Sequence, residues 1–416
     1  VDLALSRDPA TRAAWYDARA AAAQAGSRRS TYLPSLDASA SLARQRIGEA
    51  PGRSPSFQTT WGPSATITWL LLDLGARGAL VEEADLLLAA ARLGEHAAVA
   101  DLVLRVQEGY FAFLAARALV EAETALVKQA EASLAAAEGR QRAGLSTIAD
   151  VLQARTALSQ ARLALVQLEG QVLALRGGLA TLAGLPPTAD LDVGALPAEV
   201  DAAAAQPAVE DLLAAAAARN PDVARSRAAA DAAGARSRAA TRALGPTLSF
   251  AGSASRPHYL SPEDAEGGTS WSAGLVLRLP LLDGLGLHPV YDALAARASA
   301  DAARARADAT SQRVALDVWT GYQGVRTAGR RIATSRELVQ SARASAEVAR
   351  GRYKEGVGSI VDLLSAQAAL ELALAEHVRA RADYLVALAR LARASGRLDL
   401  PEDGPNPAAP EGSRIP

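Results

Sequence analysis

A chain of 416 residues that is 50% hydrophobic can bury a large core, yet only 4% of it is aromatic, and its 20 Pro and 32 Gly cluster in a few places, leaving Ala-rich stretches that favour long helices. The 44 basic and 45 acidic residues give a formal net charge of -1, which removes any general electrostatic pull toward nucleic acid or anionic lipid. Zero Cys excludes disulfides, thiolate metal sites and Cys nucleophiles, and no run of 18 apolar residues is present for a membrane-spanning helix, so any crossing must use strands.

The chain opens at Val1 without a basic and apolar leader, which is compatible with a removed signal peptide or with trimming. A helical segment of roughly 30 residues leads to Leu33-Pro34, where the periodicity changes to two. Leu36, Ala38, Ala40 and Leu42 alternate with Ser35, Asp37, Ser39 and Ser41, and Ala65, Ile67 and Trp69 alternate with Ser64, Thr66 and Thr68. One apolar and one small polar face describe strands of about ten residues between two different solvents, long enough to cross a bilayer when tilted. A Gly/Pro/Ser-rich loop near Gly48 to Thr60 separates them, with Trp61 at its edge where an aromatic interface belt would stand.

Leu71-Leu72-Asp73-Leu74-Gly75 then turns into a very long helical pattern, roughly 100 Å if helical from about 76 to 140. Val99, Val106, Phe113, Val120, Val127 and Leu134 recur every seven residues up to Gly144, and Val151, Leu158, Leu165, Val172 and Leu179 mark a second helix beyond it. Strict heptads of this length imply left-handed supercoiling. A Pro-rich connector from Leu185-Pro186-Pro187 to Gln206-Pro207 follows.

The plan then repeats. Arg7-Asp8-Pro9 returns as Arg219-Asn220-Pro221, and Gly144 through Asp150 as Gly356 through Asp362, 212 positions on. The second strand pair, about 247–281, sets Leu248, Phe250, Ala273, Leu275, Leu277 and Leu279 against Thr247, Ser249, Ser272 and Arg278, with a loop near Arg256 to Thr269 and Trp271 at its edge. Leu281-Leu282-Asp283 opens the next long helix, whose Val318, Val325, Ile332 and Val339 are answered beyond Gly356 by Leu363, Leu370, His377, Tyr384 and Leu391. Ala154, Ala161, Ala366, Ala373, Ala380 and Ala387 let adjacent helices approach closely. The expected organisation is a first repeat over 1–184, a connector over 185–208, a second repeat over 209–396 and a Pro-rich tail over 397–416.

Four tilted strands cannot close a barrel, and an open edge in lipid leaves backbone groups unpaired at several kcal/mol each. Three copies would give about twelve strands and a lumen, and the long helices would likewise pack around a ring. A soluble coiled-coil scaffold or adaptor-like protein is the other reading of these patterns; Trp-edged alternating segments at matching positions of both halves favour the channel.

Strand pair, long helix, Gly-containing tip, second heptad helix and Leu-Pro-Pro connector, duplicated, resemble the TolC-like outer-membrane factors over essentially the whole length. The most specific matches are Arg140-Gln141-Arg142-Ala143-Gly144-Leu145-Ser146-Thr147-Ile148-Ala149-Asp150 and Arg352-Tyr353-Lys354-Glu355-Gly356-Val357-Gly358-Ser359-Ile360-Val361-Asp362. The resemblance implies an α+β membrane protein, with coiled-coil hairpins forming a periplasmic α-barrel and four strands per protomer entering a trimeric twelve-stranded outer-membrane β-barrel. It implies a homotrimer in outer-membrane lipid, partnered by a periplasmic adaptor and an inner-membrane transporter, and a passive efflux or type I secretion duct.

Thr147-Ile148-Ala149-Asp150 and Ser359-Ile360-Val361-Asp362 fit the capping-box pattern, and that role alone would account for both carboxylates. Three copies would also bring these carboxylates around the narrow end of a duct. The resemblance implies a constriction with a Tyr and two Asp three positions apart; Tyr353 and Asp362 match, Ser365 stands in place of the second Asp, and Asp150 is the weaker companion. Gly144, Leu145 and Ser146 with Gly356, Val357 and Gly358 correspond to the adaptor-docking tips. His96, His258, His288 and His377 lack ligand spacing, Gly284-Leu285-Gly286 is too short for a nucleotide fingerprint, and no nucleophile elbow or P-loop is present, so no enzyme, cofactor, metal or nucleic-acid site is expected. Absence of Met and Cys argues against a dedicated soft-metal path.

Overall fold

The computed structural model describes residues 1–48, 56–197, 207–261, 268–279 and 287–397. The turn at Leu281-Leu282-Asp283, the Gly284-Leu285-Gly286 run, part of the connector and nearly all of the tail lie outside them. In chain order the elements are α1 (Asp2–Arg7), α2 (Pro9–Ser30), β1 (Ser35–Ile47), β2 (Ser56–Leu72), α3 (Ala76–Arg142), α4 (Ile148–Leu182), α5 (Val209–Arg219), α6 (Pro221–Arg242), β3 (Thr247–Ser255), β4 (His258–Ser261), β5 (Ser270–Arg278), α7 (His288–Lys354) and α8 (Ile360–Ala394).

The helical segment opening each half is two helices, not one. Asp8 (ψ 126°) and Asn220 (ψ 122°) are extended because a proline follows, and each proline then occupies the first turn of the next helix, where its missing N–H costs nothing. Asp8 Oδ2 accepts from Thr11 N at 2.8 Å, and Asn220 Oδ1 from Asp222 N at 2.9 Å, which satisfies donors the break exposes. Asn220, 2% exposed, also donates from Nδ2 to the Ala394 carbonyl at 2.9 Å, tying this corner to the end of α8.

Contacts divide the chain into two units. One, Tyr16–Arg92 with Arg225–Ala309, holds the sheet, an antiparallel set ordered β1-β2-β3-β5. The strands exceed the expected ten residues in the first pair, where β1 has 13 and β2 has 17, so Ser56 to Thr60 are strand rather than loop and Trp61 lies within β2. The third ladder position is interrupted. Register runs β3 along Ser64 to Leu72 and β4 along Thr59 to Trp61, with Arg256-Pro257 between them. Proline has no ladder donor, and Gly62, lacking a Cβ, leaves room for the Arg256 carbonyl.

Register carries the alternation across all four positions. Ala38, Ala65, Ala254 and Trp271 form one row and Leu36, Ile67, Gly252 and Ala273 another, on one face. On the opposite face Ser39, Ser64, Ser255 and Ser270 form a hydroxyl row, with Ser39 to Ser64 at 2.8 Å and Ser255 to Ser270 at 2.9 Å, and Asp37, Thr66, Ser253 and Ser272 form the next. Asp73 caps α3 below the sheet by accepting from Arg77 N at 2.6 Å.

The other unit, Val1–Trp15, Leu93–Ala224 and Thr310–Pro416, packs the heptad faces in layers. Leu102, Val106, Phe113 and Leu114 of α3 meet Leu5 of α1, Leu179 of α4 and Val378 of α8. The second repeat answers with Val314, Val318, Val325 and Ile332 of α7 against Leu212 of α5, Val223 of α6, and Tyr384 and Leu391 of α8. Ion pairs rim the α8 junction, Arg390 to Glu108 at 2.6 Å and Arg393 to Asp101 and Asp222 at 2.8 Å each.

One acid interrupts this apolar packing. Glu123 of α3 is 5% exposed, and its Oε1 has no hydrogen-bond partner among the described residues. Burial first, then repulsion from Glu371 of α8, pushes its carboxyl up to about 7. The folded state therefore holds this proton more tightly than the unfolded chain, so the associated stability is complete at acid pH and is lost as pH rises through about 7. Thermal unfolding midpoints should fall between about pH 5 and about pH 8, and Glu123→Gln should remove most of that fall while raising the midpoint at the alkaline end.

Candidate functional site

The two helical tips are built alike. Gly144 (φ 71°) and Gly356 (φ 80°) adopt the left-handed conformation that ends α3 and α7, and Leu145 N and Val357 N reach back to the Arg140 and Arg352 carbonyls at 2.8 and 3.0 Å. Both capping boxes close. Thr147 N donates to Asp150 Oδ2 at 3.0 Å and Asp150 N to Thr147 Oγ1 at 3.4 Å; Ser359 N donates to Asp362 Oδ2 at 3.4 Å and Asp362 N to Ser359 Oγ at 3.0 Å. Each carboxylate spends one oxygen on its cap, which leaves the other for solvent or a passing ion.

At the turns, Leu145 and Val357 are 68% and 69% exposed, beside Gly144 and Ser146 in one tip and Gly356 and Gly358 in the other. The next apolar pair diverges. Ile148 is 62% exposed while its counterpart Ile360 is 2% exposed, packed with Ala137, Val151, Ala154, Tyr353 and Leu363.

The four sequence-selected constriction residues fall into two neighbourhoods. Asp362 and Ser365, both exposed, line one groove of about 670 Å³ with Arg352 and Gly358, and Tyr353 is not part of it. Tyr353 is buried beside Asp150, whose charge, together with the larger effect of burial, pushes the phenol up against an opposing pull from Arg140. Arg140 was not selected from sequence. Its Nη1 donates to the Tyr353 carbonyl at 3.0 Å and its guanidinium lies 5.1 Å from the Tyr353 ring centroid. An Arg in the last turn of a helix reads as a partner for the helix dipole, so only the long-range fold shows that it bridges the repeats.

At the sheet, Trp61 stacks on His258 with centroids 5.0 Å apart, and Trp271 is 77% exposed. Toward the helical ends Trp69 donates from Nε1 to the Tyr32 carbonyl at 2.9 Å and pairs in register with Phe250. Trp61 and Trp69 share a face eight residues apart, about 26 Å along the strand and about 20 Å vertically at a tilt near 40°, the scale of the apolar band between two aromatic girdles. That face is open, with Leu36 at 74% exposure in a row between them and Leu275 at 65% in the row of Trp69. Among the described residues no helix is long and apolar enough to cross a membrane, and no group of three or more His, Asp or Glu is placed to hold a metal.

Comparison with known proteins agrees with this geometry. The family description "Outer membrane efflux protein" matches residues 1–185 and 212–397, one block per repeat. The chain is 31% identical over 408 residues to Protein CyaE of Bordetella pertussis, covering 96% of this chain and 83% of that protein. The solved structure of a membrane protein from Pseudomonas aeruginosa superposes with a TM-score of 0.85 at 25% identity, covering 95% of this chain and 92% of that one. The outer membrane protein VceC of Vibrio cholerae gives 0.83 at 19% identity, covering 95% and 94%. The chain therefore belongs to the outer membrane efflux protein family, and it is an outer-membrane transport protein rather than an enzyme.

Proposed function

We propose that three copies of this chain assemble into one passive duct, a twelve-stranded barrel in the outer membrane continued by helices through the periplasm, gated at the tips and completed by a periplasmic adaptor and an inner-membrane transporter in efflux or type I secretion. The observation that carries this reading is the sheet. Its apolar face is exposed, and among the described residues β1 pairs only with β2 and β5 only with β3, so both edges need strands from other copies. A soluble scaffold would leave that face in water.

The internal repeat specifies how copies would meet. Inside the chain, Val378 and Leu385 of α8 pack with the α3 cluster, and Gln367 Nε2 donates to Ser133 Oγ at 3.0 Å across the same junction. Their counterparts 212 positions earlier, Val166 and Leu173 of α4, are 63% and 58% exposed. The duplicated junction is α4 of one copy on α7 of the next, which places Arg155 opposite Ser345. In this naturally Cys-free chain, Arg155→Cys with Ser345→Cys should oxidise into dimers and trimers on non-reducing gels. Linkage confined within single chains, or none, rejects this arrangement.

At the gate, Asp362 offers one uncommitted oxygen per chain. Three such charges about 7 Å apart repel by about 2 kcal/mol per pair at an effective dielectric near 20, so a closed ring attracts cations. Asp362→Asn should lower cation selectivity in planar-bilayer recordings, and an unchanged reversal potential across a salt gradient would remove Asp362 from the gate. Asp150, Tyr353 and Ser365 complete the constriction in this reading. The exposed tip residues Leu145 and Val357, with their flanking Gly144, Ser146, Gly356 and Gly358, form the adaptor dock. Cysteines at Leu145 or Val357 should cross-link to a cognate adaptor in intact cells, and failure at both positions rejects docking there.

A further inference from the structure

A second feature above the tips shares only Tyr353 with the proposed constriction. Between α3, α7 and the start of α8 lies a groove of about 660 Å³, within the range of small-molecule sites. Lys128, Arg140, Arg350 and Lys354 line it, without an acidic residue among its walls. None of the four forms an ion pair among the described residues, although this chain pairs arginines freely elsewhere. The floor is apolar, made by Ala132, Ala136, Leu363 and the Tyr353 ring.

Three buried polar atoms in its walls are unsatisfied, Arg140 Nε among them. Tyr353 is 6% exposed and its Oη has no hydrogen-bond partner, and Gln129 Nε2 is likewise buried and unpartnered. Buried donors are seldom left unpaired, so a phenol and a carboxamide beside four cations that no described carboxylate pairs call for an acceptor from outside. Burial keeps the phenol protonated and able to donate.

The internal repeat argues against a generic surface effect. Arg350 occupies the position that Glu138 holds in the first repeat, and Glu138 is paired with Arg155 at 3.4 Å. Lys128 likewise corresponds to Gln340. Arg350 and Lys128 are therefore the cations particular to this junction, whereas Arg140 and Lys354 have basic counterparts in Arg352 and Arg142.

The geometry points to a binding site for an amphiphilic organic anion, with its carboxylate, sulfonate or phosphate among Lys128, Arg140, Arg350 and Lys354 and its apolar body over Ala132, Ala136 and Leu363. The test uses the full chain in lipid nanodiscs with a naphthalene disulfonate as probe, measured calorimetrically at low salt against empty nanodiscs. One saturable site per chain is expected, weakened about tenfold by Arg350→Gln and several-fold by Tyr353→Phe, a difference of about 1.4 kcal/mol for the former. Arg336→Gln, an exposed arginine on α7 outside the groove, should leave binding unchanged. Non-saturable uptake, or indifference to both groove variants, overturns the site. Inorganic sulfate displacing the probe at equal concentration overturns the amphiphilic assignment, because sulfate makes no use of the apolar floor.

Discussion

Hydrocarbon supplies neither donors nor acceptors, and that constraint organises the sheet. Every backbone group of a strand placed in lipid must find its partner on another strand. Within the described chain the inner positions satisfy this through antiparallel register, broken between β3 and β4 and shifted at Leu70/Leu72 and Thr59/Thr60, while β1 and β5 each present one unpaired edge. Two prolines meet at that break: Pro63 lies within β2 opposite Ala40, at a position that neither β3 nor β4 pairs. Pro257 sits in the gap between β3 and β4, where the ladder already breaks, and the Arg256 amide still finds the Pro63 carbonyl at 3.1 Å. The same partition of solvents accounts for the side chains, with Ala, Leu, Ile and Trp on one face and rows of Ser and Thr on the other.

Much of this was legible in the sequence because it is periodic. Val318, Val325, Ile332, Leu363, Leu370, Tyr384 and Leu391 fall at multiples of seven and are buried, with Val339 and His377 half-buried at the same spacing, since a heptad repeat is the record of one helix face meeting another. The strand alternation is equally direct. What the pattern could not carry is the identity of the neighbour. Ile148 and Ile360 look identical in sequence, yet one is exposed and the other is in the core, because only the second has Tyr353 and Val151 beside it. Glu123 reads as a surface acid on an amphipathic helix, and only the approach of α8 makes it a buried carboxyl facing Glu371. The helix breaks at Pro9 and Pro221 were hidden for a different reason. A proline is as compatible with the first turn of a helix as with its end, so sequence marks the punctuation without fixing its direction.

Duplication followed by divergence explains why the two halves differ where they do. Ser133 and Gln367 meet inside the chain and carry a neutral, buried hydrogen bond. Their counterparts Ser345 and Arg155 are both exposed, and Arg155 has turned to Glu138 on its own hairpin. A neutral pair suits a junction made once, during folding of one chain, whereas a charged side chain tolerates a junction that is solvated before partners meet. The open seam is apolar besides: Leu152, Val166 and Leu173 stand at multiples of seven along α4, each more than half exposed, while their counterparts Leu364, Val378 and Leu385 pack within the chain. A polypeptide in which every second copy of a duplicated junction is left open, with its apolar heptads intact, has the symmetry of a segment of a closed ring. In the proposed trimer the same contact is made six times, three times by folding and three times by assembly.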